Sequence, residues 1–452
     1  MAARPGEGNC SGFFSYMKTI ASFFRFDHYR TSFRKETVAG ITTFLTMAYI
    51  IIVNPAILEA GGIPRGPQTT ATILAAVFGC VVMALWANRP FAIAPYMSEN
   101  AFVAFTVVKT LGYTWQTAMG AVFVAGIVFS ILTVFRVRSW LAEAIPLSLK
   151  CAFAVGIGLF LTFIGLNETG LVTLGVAGAP VKMGNIAAPS VLLAVFGYLL
   201  TVFLMTRQVR GAIVIGIVAT TTLSIAFGVT PMPKEFVSLP PDISPILFQL
   251  DIGSVFEIRF FPVVLTIFIM AFLDTVGTLI GLSMRADLLD EHGNLPEIEK
   301  PMLADALATT VAPLLGTTTT GAYIESAAGI EEGGRTGFTA LVVAGLFLLA
   351  LFFAPLFTIV PSHAYGIALI VIGSFMIEPI KRIAFDDFTE LVPAFLTIVL
   401  MIFTYNIGVG MSTGLLTYPL LKAAAGRGRE VPAGMWVLAL LAVSLFVFFP
   451  KM

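Results

Sequence analysis

The chain has 452 residues, of which 58% are hydrophobic and 12% charged, with a mean hydropathy of +0.94 and a formal net charge of zero. A soluble domain carries roughly twice that charged fraction, so a water-soluble globular protein is excluded, and the balanced charge offers nothing to nucleic acid. Long apolar runs joined by short polar links, in place of the ~10-residue alternating segments of a β-barrel, select membrane helices. The three cysteines, Cys10, Cys80 and Cys151, are far apart in the chain, which argues against a disulfide framework or a metal site.

Taken in order, residues 1–33 lack the compact apolar core and cleavage site of a signal peptide. Phe13, Phe14, Met17, Ile20, Phe23 and Phe24 recur at roughly helical spacing with Lys18 and Arg25 between them. The pattern predicts a cytoplasmic helix lying on the membrane surface. A first repeat over 34–230 then holds seven apolar runs, at about 36–54, 68–86, 91–108, 114–135, 145–166, 188–206 and 210–228. Residues 231–260 form a proline-rich extracytoplasmic linker. A second repeat over 261–425 holds seven more, at about 261–283, 302–316, 317–333, 336–360, 362–379, 388–405 and 407–424. Residues 426–452 carry a further hydrophobic stretch at 434–449, for which a peripheral or re-entrant role is expected.

The third run of each set is interrupted by polar residues. Ala94-Pro95-Tyr96-Met97-Ser98-Glu99-Asn100-Ala101-Phe102 breaks the first, and Thr320-Gly321-Ala322-Tyr323-Ile324-Glu325-Ser326-Ala327-Ala328 breaks the second. Because seven is odd, the second set enters the membrane inverted relative to the first. With the N-terminus in the cytoplasm, Arg89, Arg136, Arg138, Arg207, Arg210, Arg285, Arg335, Lys381, Arg382, Lys422, Arg427 and Arg429 all fall inside, as the positive-inside rule requires. Arg65, Lys109, Lys182, Lys234 and Arg259 are the outer exceptions. The expected fold is therefore an all-α polytopic membrane protein of 14 segments in two inverted seven-segment repeats. Its third and tenth segments are expected to be short strands followed by half-helices. The run Thr317–Thr320 has the β preference for such a strand and is expected to cross its counterpart near 91–95.

Ionisable groups in the apolar runs are few, and Glu99, Asp274 and Glu325 stand out, with Asn100 as the notable amide. A carboxylate at membrane depth costs about 2.5–3.5 kcal/mol even on insertion scales, so each is a functional candidate. Plainer roles stand beside this: a helix-tying acceptor for Asp274, a cap on its own half-helix for Glu325, a water-facing side chain for Glu99. Carboxylates accept hydrogen bonds and an amide both donates and accepts, which matches a planar heterocycle bearing N–H groups and carbonyls. Tyr96, Phe102 and Tyr323 are candidates to stack on its faces, and Ser98 completes the set. His363 is expected in a loop at the outer surface, and His28 and His292 in solvated stretches. No spacing matches a zinc or iron site, and Gly333-Gly334-Arg335 lacks the ending of a P-loop. No nucleophile–base pairing stands out, so the chain is not read as an enzyme.

Three stretches carry a resemblance: Phe33 to Ile50, Leu273-Asp274-Thr275-Val276-Gly277-Thr278-Leu279, and Tyr323 to Gly337. They resemble the AzgA-type branch of the nucleobase:cation symporter-2 family over nearly the whole chain. The resemblance implies core and gate domains and proton-linked uptake of purine bases such as hypoxanthine, guanine or adenine. It also implies that Glu325 and Asn100 bind substrate and that Asp274 is needed for transport. Two positions depart from the family pattern. Ala271 stands where the family has a second aspartate, and Pro95-Tyr96-Met97-Ser98-Glu99-Asn100 stands where it has Pro-Gly-Met-Gly-x-Asn. Glu99 is read as replacing the carboxylate missing at 271, and either Asp274 or Glu99 as the proton acceptor.

The expected partners are a small purine base, a coupling proton, membrane lipid and a second copy in a homodimer, with no nucleic acid, cofactor or metal. The expected location is the inner (plasma) membrane. A related-fold anion transporter of the sulfate-permease type and a sodium-coupled nucleobase transporter are the alternatives.

Overall fold

The computed structural model describes residues 17–135, 144–176, 179–233, 235–286, 288 and 297–448. Ser32 starts the first membrane helix by accepting from the Lys35 N–H at 3.4 Å, an N-cap of the ordinary kind. Helix α1 (Phe33–Met47) breaks at Ala48-Tyr49 and resumes as α2 (Ile50–Ala60), then α3 (Arg65–Val82) follows. Strand β1 (Ile93–Pro95) leads into the short α4 (Met97–Ala101) and a wider-wound continuation, Phe102–Thr110. Next come α5 (Trp115–Val134), α6 (Leu147–Glu168), strands β2 (Val172–Val176) and β3 (Ala179–Met183), α7 (Pro189–Thr206) and α8 (Ala212–Ala226). The second half runs α9 (Phe261–Arg285), α10 (Glu299–Val311), β4 (Thr320–Ala322), α11 (Ser326–Glu331), α12 (Gly337–Ala350), α13 (Ser362–Phe375), α14 (Phe388–Phe403), α15 (Ile407–Ala424) and α16 (Ala433–Phe448).

Among the described residues seven helical runs are long and apolar enough to cross a membrane: 33–60, 65–87, 115–134, 147–168, 189–206, 337–358 and 362–382. Shorter apolar helices cover 212–226, 258–272, 388–403 and 433–443. The apolar runs of the sequence thus became helices close to where hydropathy put them. A hairpin at 172–183, strands β2 and β3 paired antiparallel, was not expected there.

Packing sorts most helices into two groups. One joins α1, α2, α3, α5, α9, α10 and α12 around β1 and β4; the other joins α6, α7, α8, α13, α14 and α15. Small residues let helices approach closely in the second group: a Cβ added to Gly165 of α6 would stand 2.6 Å from the Gly366 carbonyl oxygen of α13.

Strands β1 and β4 pair antiparallel, Ile93 with Ala322, Ala94 with Gly321 and Pro95 with Thr320. The Tyr96 N–H donates to the Thr319 carbonyl at 3.0 Å and the Tyr323 N–H to the Ala92 carbonyl at 2.9 Å, which extends the ladder at both ends. The second strand starts three residues later than its threonine content predicts. Gly316 adopts φ +90 and closes a turn in which the Thr317 N–H returns to the Ala312 carbonyl, so pairing begins only beyond it.

The phenylalanines of the N-terminal stretch divide. Phe23 is exposed, but Phe24 and Phe26 are buried and pack edge-on against Phe338 of α12 with centroids 5.6 and 5.8 Å apart. Part of the face expected to lie on lipid is therefore protein core. Phe13 and Phe14 lie outside the described residues.

Candidate functional site

The half-helices α4 and α11 begin directly beyond the crossing strands. Ser98, Glu99 and Asn100 on α4 are all buried, and α9 brings Asp274 to them. Ser98 Oγ lies 2.5 Å from Glu99 Oε2 and 2.9 Å from Asp274 Oδ2. A hydroxyl carries one proton. The triad is fully satisfied only when one of the two carboxyls is protonated and donates to Ser98 while Ser98 donates to the other. The second Glu99 oxygen, Oε1, is buried without a hydrogen-bond partner.

Glu325 heads α11 but makes no side-chain cap bond, so the capping role is set aside. Its Oε1 accepts from the Tyr49 hydroxyl instead, and its backbone carbonyl from the Thr46 hydroxyl at 3.4 Å. Asn100 Nδ2 donates to Asn54 Oδ1, while Asn54 Nδ2 donates to the Thr72 hydroxyl at 2.6 Å and the Thr317 hydroxyl at 3.1 Å. Tyr49 and Asn54 stand five positions apart at the start of α2, roughly 7.5 Å along a helix axis. One segment thus holds both Glu325 and Asn100, the two residues contributed by opposite halves of the chain.

The tyrosines reach across the strand pair. Tyr323 donates its hydroxyl to the Pro95 carbonyl at 2.5 Å, Tyr96 to the Ala322 carbonyl at 3.4 Å, and the two rings lie within 10° of parallel with centroids 6.3 Å apart. Gly321 makes this possible, because a Cβ there would stand 2.1 Å from the Tyr96 ring. Both hydroxyl protons are thereby given to backbone carbonyls, so toward a ligand the tyrosines offer ring surface and at most an accepting oxygen. Phe102 is buried but packs toward Gly408 at the start of α15, whose added Cβ would lie 3.4 Å from its ring; it is not joined to the carboxylates.

Sequence reasoning missed several members. Asp305 on α10 is a buried carboxylate that accepts from the Thr275 hydroxyl, beside Asp274. Glu36 at the start of the first run is fully buried and accepts from the Arg335 N–H at 3.0 Å, the Thr336 N–H at 3.3 Å and the Thr339 hydroxyl at 2.6 Å. It ties α1 to the first turn of α12. Their signal was a lone acidic residue in an apolar run. Tyr49, Asn54 and Thr72 gave no such signal. His363 is no outer-loop residue: it is buried in the first turn of α13, with Nε2 3.0 Å from Ser224 Oγ of α8. Among the described residues no three His, Cys, Asp or Glu side chains are grouped to hold a metal.

A multi-pass helical membrane protein whose two chain breaks cross in its interior, with carboxylates and an amide gathered beside them, has the build of a transporter rather than an enzyme. The model of the Permease family, Xan_ur_permease, matches residues 34–413, and the chain belongs to this family, the nucleobase:cation symporter-2 permeases. The guanine/hypoxanthine permease PbuG of Bacillus subtilis is 40% identical over 440 residues, covering 95% of this chain and all of that protein. The adenine permease AdeQ of Escherichia coli is 38% identical over 423 residues, covering 94% of this chain and 95% of that one. Among solved structures, the transmembrane domain of the cyanobacterial bicarbonate transporter BicA superposes with a TM-score of 0.61 at 15% identity, over 84% of this chain and 97% of that domain. That likeness is one of fold.

Proposed function

We propose that the protein imports purine nucleobases of the hypoxanthine, guanine and adenine class by proton symport across the cell's inner membrane, with its N-terminus in the cytoplasm. The chain would form 14 segments in two inverted repeats, the group around β1 and β4 moving as a core against the other group as a gate. The relatives' specificities support the substrate class. The observation that carries the coupling is the Glu99–Ser98–Asp274 triad, two carboxylates served by one hydroxyl proton. A proton taken up from outside onto this pair completes its hydrogen bonds and removes the cost of a second buried charge. The neutralised core then turns inward with its base, and loss of the proton to the cytoplasm resets it. Glu325 and Asn100 accept hydrogen bonds from the base, and the rings of Tyr96 and Tyr323 border it.

The experiment is uptake of radiolabelled hypoxanthine into liposomes holding the purified protein, acid outside, against unlabelled purines, pyrimidines, sulfate and bicarbonate. Purines alone are expected to compete, and a protonophore to abolish accumulation. Competition by the anions instead, or uptake indifferent to the pH gradient, overturns the reading.

A further inference from the structure

The amide of Asn100 is oriented by a chain of hydrogen bonds whose polarity is set two residues along it, at Thr72. It starts at the Thr72 hydroxyl, which donates its only proton to the Gln68 carbonyl at 2.7 Å. Thr72 Oγ1 can therefore only accept from Asn54, at 2.6 Å, so Asn54 must turn its NH2 toward Thr72 and Thr317. Its carbonyl oxygen then faces Asn100, and Asn100 must turn its own NH2 inward to donate to it. The other end, Asn100 Oδ1, is buried with no hydrogen-bond partner. A flipped Asn54 would turn its oxygen to Thr72 Oγ1 and be met there only if Thr72 gave up its bond to the Gln68 carbonyl, so the observed polarity is the one that keeps every bond of the chain.

We infer that Asn54 and Thr72 are positioning residues that make Asn100 an acceptor only, so that the transported base is selected for an N–H at the edge Asn100 reads. This rests on the purine reading and goes beyond it, because an unconstrained asparagine would serve donor and acceptor edges alike. Burying an acceptor without a partner is costly, so a ligand that meets Asn100 with a lone pair or a methyl group is rejected.

Hypoxanthine and its 1-, 7- and 9-methyl derivatives, each lacking one N–H, serve as probes in competition for hypoxanthine uptake. The wild type is expected to reject at least one derivative by roughly tenfold or more. In Thr72→Val the Asn54 amide is free to turn. For a derivative that meets Asn100 with a lone pair, as 7- and 9-methylation leave on the other imidazole nitrogen, that rejection is expected to fall to within about threefold and the KM for hypoxanthine to rise, with Vmax little changed. Thr72→Ser, which keeps the hydroxyl, restores the wild-type pattern. Asn54→Asp is read beside them: with the Thr72 and Thr317 hydroxyls turned to donate to its second oxygen it still accepts from Asn100, and it is expected to keep the rejection. It also decides the case if Thr72→Val fails to assemble, for an Asn54→Asp protein that loses the rejection counts against the inference. Wild-type transport that ignores all three methyl groups, or a Thr72→Val protein that rejects them as before, overturns the inference and leaves the purine reading standing. Absence of any hypoxanthine competition in the wild type instead overturns the purine reading.

Discussion

Two clusters of carboxylates in this molecule are built in opposite ways. Beside α14 and α15, Asp387 lies 2.8 Å from Arg427 and 3.2 Å from Lys422, Glu390 lies 3.0 Å from Lys422, and Glu430 lies 2.7 Å from Arg427. Tyr418 adds its hydroxyl to Glu390 at 2.9 Å. Each acid there has a cation in reach. Beside the crossing strands, Glu99, Asp274 and Glu325 are met by hydroxyls, those of Ser98 and Tyr49. Hydroxyls lend a hydrogen bond without cancelling charge. The first cluster fixes the ends of two helices at any moderate pH, whereas the second stays chemically open, able to gain a proton or a donor-bearing ligand.

Each cluster can be broken separately. The largest effect is expected for Glu325→Gln, which keeps size but turns a charged acceptor into an amide: uptake of hypoxanthine should fall roughly 100-fold, the scale of a lost hydrogen bond to a charged group. Wild-type uptake from that variant would remove Glu325 from the site. Next comes Gly321→Ala, whose new methyl carbon would stand 2.1 Å from the Tyr96 ring. Overpacking of this kind costs about 1–3 kcal/mol, read as a lowered melting temperature in detergent. Adding Tyr96→Ala should recover most of that loss, and a pair of additive effects would refute the contact. The smallest effect belongs to the paired cluster. The Thr389 hydroxyl and the Arg427 guanidinium hold the Asp387 carboxyl well below the usual aspartate range. A depressed carboxyl contributes stability that is complete above its unfolded pKa of about 4 and is lost progressively as pH falls from there toward and through the lower folded value. The wild type should therefore lose this group's contribution to the melting temperature as pH falls from about 5 toward the lower folded value, with that decline blunted in Asp387→Asn and neutral-pH uptake per folded protein little changed.

How much of this could be read from residues alone differs between the scaffold and its working parts. Hydropathy located the helices well, because burying an apolar side chain in lipid or in protein depends little on which neighbour does it: the run at 114–135 became 115–134, and that at 407–424 became the helix of the same bounds. The two breaks were legible because polar residues inside apolar runs need a reason. What spacing could not supply is which side chains meet. Asn54 and Thr72 are unremarkable within their helices, and their bond exists only because α2 and α3 cross beside α4. Phe24 shows the converse, since an apolar face fits lipid and Phe338 equally well. His363 misled because a polar residue at the very edge of an apolar run reads as loop, whereas the helix already begins at Ser362 and Ser224 meets the ring.

The measurement that bears most directly on the coupling is the pH inside protein-containing liposomes, followed with a trapped dye while hypoxanthine is added outside with no initial gradient. If Glu99 and Asp274 share the travelling proton through Ser98, base entry acidifies the interior, and Glu99→Gln together with Asp274→Asn abolishes the acidification while leaving exchange of labelled for unlabelled hypoxanthine. Base entry without any acidification in the wild type, or undiminished acidification in the doubly substituted protein, would contradict it.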